Sequence, residues 1–234
     1  MTCRSQPVSD RRGRGRPSGT DSAETRANIL RAARHVINER GYEAATFQAI
    51  AQRAGFSRPT MHYYFDTKEQ IYDELAEQAH AYVAVCIAGA KRERGLLKQL
   101  AAFVDAARRS DASDGSVTRF IIASRLELHR NPSLRDGRSP LADAVSGFYR
   151  WMIEDAVRCG EIPDGTDAGA VADMLSAMCW GMGFFAGFVH STNDANDIAK
   201  QLHRLLKGGL LDGAASARPL TVGVARRWAE TDAE

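Results

Sequence analysis

Apolar residues recur along this chain at helical spacing, and no segment alternates in the way of a strand. Ile29, Leu30, Ala33, Val36 and Ile37, for example, return every three or four positions. With caps, glycines and prolines as boundaries, helices are predicted over 21–40, 46–54, 57–65, 67–91, 95–109, 116–130, 140–159, 167–190 and 195–207. The pattern therefore predicts an all-α fold.

Capping residues mark several of the predicted helix starts. Thr46, Ser57 and Thr67 each precede a helical pattern, and Ser139 precedes Pro140 at a first helical position. Asp21 has a glutamate three residues later, which is the spacing of a capping box. We therefore expect the first helix to begin near Asp21.

Residues 46–65 predict two short helices joined by a turn at Gly55. Pro59 falls in the first turn of the second helix, where its missing N–H costs little. The outward side chains of that second helix are types that contact DNA: Arg58, Thr60, His62, Tyr63 and Tyr64. This layout predicts a helix-turn-helix whose second helix enters the major groove.

Charge is distributed unevenly, although the net charge of the 234 residues is only +2. Residues 1–20 hold five Arg against one Asp, and residues 21–68 hold seven Lys or Arg against five acidic residues. The remainder is therefore acidic overall, which fits a DNA-binding end joined to a different module. We expect a flexible basic arm over 1–20, a helix-turn-helix domain over 21–68, a helical body over 69–211 and a tail over 212–234.

The arm carries the run Arg-Arg-Gly-Arg-Gly-Arg-Pro, which is similar to an AT-hook. Flexible arginines reach the narrow, electronegative minor groove of A·T-rich DNA. We expect Arg14 and Arg16 to bind there, beside the major-groove helix. The alternative is a solvated tail that attracts DNA without sequence preference.

The predicted helix 167–190 is apolar on both sides. Val171, Leu175 and Met178 lie on one face, whereas Met174, Ala177 and Phe184 lie on the other. A helix that is apolar all round is buried all round, so we expect one face to meet the core and the other a second copy. Helix 195–207 would lie beside it in a four-helix homodimer interface.

Two further observations bear on that helix. Gly183 and Gly187 form a G-x-x-x-G pattern, which we expect to let backbones approach closely across the interface. Residues 174–193 carry no Asp, Glu, Lys or Arg, so a membrane span is the alternative. The stretch is barely of spanning length and contains several polar residues, which favours the buried helix and no membrane partner.

Several functional classes find no support in the residues. The chain has no nucleophile elbow and no glycine-rich phosphate loop after a strand, so we expect neither an enzyme nor a cofactor. The four cysteines form no C-x-x-C or Cys/His cluster, so we expect no metal site. No apolar stretch follows the N-terminal arginines, so we expect a cytoplasmic protein.

The layout resembles that of TetR-type transcriptional regulators. The motifs that carry the resemblance are Thr46 with Ile50-Ala51, Ala54-Gly55-Phe56-Ser57, and Tyr63-Tyr64-Phe65-Asp66-Thr67-Lys68-Glu69. The resemblance implies base-facing roles for Gln48, Arg58, Pro59, Thr60 and His62. It implies phosphate contacts for Thr46, Ser57, Tyr63, Tyr64 and Lys68. His62 departs from the family's usual Tyr, so operator preference is expected to differ there.

The resemblance also implies a small-molecule effector that binds in the body and separates the two DNA readers. Candidate ligand contacts are Phe103, Phe120, Arg125, His129, Trp151, Trp180 and Phe184. The leading hypothesis is a dimeric repressor released from a palindromic double-stranded operator by such a ligand. The alternative is an architectural DNA-binding protein without an effector.

Overall fold

The computed structural model describes residues 19–110, 115–189, 197–198, 200–202, 204 and 208. Helices make up the described fold: α1 (Gly19–Arg40), α2 (Phe47–Ala54), α3 (Arg58–Tyr64), α4 (Lys68–Ala90), α5 (Leu96–Ser110), α6 (Ser116–Arg130), a 3-10 turn (Leu134–Gly137), α7 (Pro140–Arg158) and α8 (Ala168–Phe188). The all-α prediction is confirmed. Residues 1–18 of the predicted arm, which include Arg14 and Arg16, and the predicted tail 212–234 lie outside the described residues.

The predicted caps set the helix starts. The side-chain oxygens of Thr46, Ser57, Thr67 and Ser139 each accept a hydrogen bond from the backbone N–H three residues later. The start near Asp21 was wrong, because α1 already begins at Gly19. The 3-10 turn was not predicted, and two of its residues, Arg135 and Asp136, have left-handed φ values of 50° and 52°.

One continuous set of buried side chains runs through both halves of the chain. In the first half, Ile29, Ile50 and Met61 hold α1, α2 and α3 together, and each is completely buried. In the second half, Phe148 and Tyr149 of α7 are also buried, at 2% and 0% exposure. The helix-turn-helix therefore shares a hydrophobic core with the body and is not joined to it by a linker alone.

Helix α8 shows the two faces expected from its sequence. Leu175 is buried on the face that packs against α6 and α7, whereas Met174, Phe184 and Phe188 remain 40%, 47% and 41% exposed. Among the described helices, α8 alone is long and apolar enough to cross a membrane. It instead packs one side against its own chain and presents an apolar stripe on the other.

The glycines of α8 serve a different contact from the one predicted. A Cβ added at Gly183 would lie 2.8 Å from Ile122 Cδ1 of α6, and one at Gly187 would lie 3.2 Å from Arg119 Cγ. Arg119 Nε also donates to the Gly187 carbonyl oxygen at 2.8 Å. The prediction that these glycines face a partner subunit was therefore wrong, since they allow α6 to approach α8 within one chain.

Candidate nucleic-acid interface and ligand cavity

The turn between α2 and α3 has the geometry that its glycine permits. Gly55 adopts a left-handed φ of 73° and ends α2, and the Phe56 N–H returns to the Ala51 carbonyl at 3.0 Å. Met61 and Phe65, at 0% and 1% exposure, anchor the inner side of α3. The opposite side of this helix is left facing solvent.

Most of the proposed DNA-contacting residues lie on that open side. The exposed members are Thr46, Gln48, Ser57, Arg58, Pro59, His62 and Tyr63, and the half-buried members are Thr60, Tyr64 and Lys68. Tyr63 is the most open of the aromatic ones, at 70% exposure. The predicted residues of α2, α3 and the start of α4 are therefore all at least partly accessible to solvent.

Several of these side chains are held in place by neighbours. The His62 ring stacks on Phe47 of α2, with centroids 4.7 Å apart and planes 11° from parallel. The hydroxyls of Ser57 and Thr60 are 2.8 Å apart. Tyr64 meets Tyr63 edge to face at 5.0 Å. Because these contacts lie within α2, α3 and the N-cap of α3, they fix the side chains of this surface in the absence of DNA.

Lys68 has partners that the sequence did not reveal. Its Nζ donates to the carbonyl oxygens of Tyr42 and Glu43 at 3.1 and 3.4 Å, and lies 4.0 Å from the centre of the Tyr42 ring. The Tyr42 hydroxyl donates to Glu69 Oε1 at 3.0 Å, and burial followed by that bond raises the pKa of Tyr42. Lys68 therefore ties the start of α4 to the loop after α1, alongside the predicted phosphate contact.

The helix-turn-helix is joined to the body at the first residue of α6. Ser116 is 1% exposed, and its hydroxyl oxygen accepts from Arg34 Nε at 2.9 Å. The Asn38 side-chain amide donates to the Ser116 carbonyl oxygen, also at 2.9 Å. Two side chains of α1 thus hold the beginning of α6.

An apolar cavity of about 210 Å³ lies between α4, α5, α6, α7 and α8. Its lining residues are Tyr82, Val83, Phe103, Val104, Ala107, Arg108, Thr118, Ile121, Ile122, Leu141, Val145, Tyr149, Cys179, Trp180, Met182, Gly183 and Ala186. Helix α6 contributes Thr118, Ile121 and Ile122, so the helix that α1 holds also forms one wall.

The polar groups in this wall are mostly neutral or already engaged. Burial raises the pKa of the Cys179 thiol and that of the Tyr149 hydroxyl, so both stay protonated at neutral pH. The Tyr82 hydroxyl donates to the Ala107 carbonyl oxygen. Arg108, an exposed residue near the end of α5, supplies the single charge in the lining. The cavity suits an apolar molecule.

Comparison with known proteins bears directly on this architecture. Residues 29–75 match the family model described as bacterial regulatory proteins, tetR family. The uncharacterized HTH-type transcriptional regulator YdgC of Bacillus subtilis is 26% identical over 159 residues, which cover 66% of this chain and 77% of YdgC. Residues 29–75 are therefore identified as a tetR-family DNA-binding segment. TetR-family proteins are DNA-binding transcriptional regulators, not enzymes, which implies a cytoplasmic location.

Solved structures of transcriptional regulators share this fold over nearly their whole length. FadR from Bacillus subtilis, in complex with stearoyl-CoA, has a TM-score of 0.64 at 21% identity, over 81% of this chain and 99% of FadR. A transcriptional regulator from Saccharomonospora viridis, in complex with choline, has a TM-score of 0.67 at 22% identity, over 81% and 98%. The two regulators thus bind small molecules of very different chemistry, stearoyl-CoA and choline.

Two of the seven candidate ligand contacts, Phe103 and Trp180, line the cavity between α4 and α8. Phe120 lies in the core beside a separate cavity of about 20 Å³. The half-buried Trp151 lies under the Lys91 ammonium, which is 4.6 Å from its ring centre. These aromatic residues have other packing roles.

The remaining candidates, Arg125, His129 and Phe184, are exposed and do not reach the cavity. At about 100° per residue, Arg125 and His129 lie roughly 140° and 180° around α6 from Phe120, which is 1% exposed. Their face therefore points away from the core. Sequence reasoning missed Arg108 and Tyr149, because an arginine at a helix end and a core tyrosine carry no signal of a cavity.

Proposed function

We propose that this protein is a homodimeric repressor. Its affinity for a palindromic operator is lowered when a small molecule binds in the cavity between α4 and α8. The observation that carries the proposal is the double role of α6. Its residues Thr118, Ile121 and Ile122 line the cavity, while its first residue, Ser116, is held by α1 of the helix-turn-helix.

The exposed face of α3 is the proposed reader. Arg58 suits guanine, Gln48 suits adenine, and Pro59 and the methyl group of Thr60 suit a thymine methyl. His62, held against Phe47, presents a ring nitrogen to a base or phosphate. Thr46, Ser57, Tyr63, Tyr64 and Lys68 are proposed to bind phosphates, and Arg14 and Arg16 the adjacent minor groove.

The apolar stripe of α8 is the proposed dimer interface. Phe184 and Phe188 stack at 5.5 Å between ring centroids and are both more than 40% exposed in the single chain. Leu202, in the helical residues that follow, is 8% exposed and belongs to the core of the single chain. Pairing two copies would bury the stripe and set the distance between the two α3 helices.

The switch follows from differential affinity. A ligand in the cavity pushes on α6 and α8, and α6 passes the displacement to α1 through Ser116. A dimer reads two half-sites only when its α3 helices are about 34–36 Å, or a multiple, apart. A ligand that prefers another spacing therefore lowers operator affinity by its preference for that state.

Selection from a random duplex library with the full-length protein tests the DNA-binding half. The expected result is an inverted repeat with half-site centres about 10–10.5 base pairs, or a multiple, apart. Retention of duplexes without any sequence preference would overturn the operator and favour the architectural alternative. A reporter placed behind the selected site separates repression from activation, and a rise in transcription on binding would contradict the repressor.

The proposed release by a ligand is tested with the small molecules that copurify with the protein. Small molecules extracted from the purified, denatured protein are identified and added back to the complex with the selected duplex. We expect operator affinity to fall by about 5- to 150-fold, the usual range of coupling between two sites. Binding of the molecule without loss of operator affinity would overturn the ligand-controlled switch.

A further inference from the structure

We propose that the effector is a small anionic amphiphile, with an apolar body in the cavity and its negative group against Arg108 at the rim. This inference rests on the proposed function, because it names the ligand class of the same cavity. It is carried by three observations: the size of the cavity, the sign of its charge and the free state of Arg108.

The volume limits the apolar body. A dry cavity of about 150 Å³ accommodates benzene, which has six non-hydrogen atoms. The cavity here is about 210 Å³, so it suits an apolar body of roughly 8–10 non-hydrogen atoms on the same scale. A long acyl chain is too large for this cavity without rearrangement of its walls.

The charge of the lining selects the sign of the ligand. Among the lining residues in the described part of the chain, Arg108 is the one charged side chain and none is a carboxylate. A cationic ligand would find no counter-ion there and would be repelled by Arg108. An anionic group at the rim stays hydrated on its solvent side, and on its other side it accepts charge-assisted hydrogen bonds from the Arg108 guanidinium.

Arg108 is available for such a ligand. Within the described part of the chain it makes no hydrogen bond or ion pair, whereas its neighbour Arg109 pairs with Asp105 at 4.0 Å. Among the other polar side chains of the wall, the Tyr82 hydroxyl is engaged and the Tyr149 hydroxyl is neutral, so neither supplies a positive charge. The ligand's negative group therefore has one obvious partner.

A set of probes with one chain length tests the sign of the headgroup. Octanoate, 1-octanol and octylamine share an eight-carbon body and differ in charge at neutral pH. Their affinities for the full-length protein are measured by calorimetry, with quenching of Trp180 in the cavity wall as a second readout. We expect octanoate to bind about fivefold tighter than octanol, the upper end for an ion pair open to solvent. Octylamine should bind weakest.

Variants of the two neighbouring arginines assign the effect. Arg108→Gln should bring octanoate to the affinity of octanol, and Arg108→Glu should make octylamine the best ligand of the three. Arg109→Gln is the matched control, because Arg109 lies outside the lining, and it should leave the order unchanged. Thermal unfolding of each variant verifies that it folds.

Three results would overturn the inference. They are failure of octanoate to bind the wild type, equal affinity for octanoate and octanol, or equal effects of the two glutamine variants. The proposed function fails separately. If octanoate binds through Arg108 but the protein keeps its full operator affinity, the ligand class stands and the switch does not.

Discussion

At the residue scale, the reader surface combines side chains that face outward with side chains that hold them. Phe47 supports His62 from below, and Lys68 fastens the first turn of α4 to the loop at Tyr42 and Glu43. Arg58 differs from these, because it is exposed and lies at the first position of α3. It is therefore the residue whose removal should change base recognition with the least structural cost.

Arg58→Ala should weaken binding to the selected operator by about 1–3 kcal/mol and relax the preference at one base pair in each half-site. The physical reason is the loss of a bidentate contact to guanine. Operator variants at every position, titrated against wild type and mutant, measure the effect.

Arg53→Ala is the control for that substitution. Arg53 is an exposed arginine of α2, and its guanidinium pairs with Glu39 at 2.7 Å instead of facing the reader surface. It should leave the base preference intact. A uniform loss of affinity over all sequences for Arg58→Ala would contradict the base-reading role.

At the element scale, α6 is the helix through which we propose that the cavity and the reader surface communicate. It packs against α8 along the glycines and against α1 through Ser116. Gly115, the N-cap residue of α6, has a left-handed φ of 64° and offers no side-chain cap. The contacts from α1 hold the first residue of α6 in place, because Arg34 and Asn38 both donate to oxygen atoms of Ser116.

Asn38→Ala should reduce the effect of ligand on operator affinity more than it reduces operator affinity itself. The substitution removes the 2.9 Å hydrogen bond to the Ser116 carbonyl oxygen, at a cost of about 1 kcal/mol in the free energy of unfolding. Operator titrations with and without the copurified ligand measure the coupling.

Asn28→Ala is the matched control on the same helix, since the Asn28 side chain accepts only an exposed bond from Arg31. It should leave the coupling unchanged. An Asn38→Ala protein that responds to ligand as the wild type does would show that the signal takes another route, such as α4.

At the scale of the whole molecule, one side of the single chain presents apolar side chains to solvent. The stripe on α8 exposes Met174, Phe184 and Phe188 together, whereas the reader surface needs a second copy to recognise two half-sites. Both features fit the homodimer that we propose, in which two α3 helices together would recognise a specific site.

Phe184→Asp should convert the dimer to monomers and reduce operator affinity, since it places a charge in the apolar interface. Sedimentation measures the first effect and operator titration the second. Val85→Asp is the control, because Val85 is an equally apolar side chain on α4, 73% exposed and away from the stripe. A stable Phe184→Asp dimer would rule out this interface.

The sequence by itself determined the features that depend on near neighbours. The caps at Thr46, Ser57 and Ser139, the turn at Gly55 and the two faces of α8 follow from hydrogen bonds and spacing within a few residues. Such interactions are written in the local order of side chains, so the all-α fold and the helix-turn-helix were predictable.

Only the tertiary structure decided which distant side chains meet. Arg108 and Trp180 share one cavity, Gly183 admits Ile122, and Arg125 points away from the core. Each outcome depends on how helices far apart in the chain are rotated against one another. Periodicity fixes the faces of a helix but not the neighbour that each face will meet, and for that reason the ligand cavity emerged only from the packed structure.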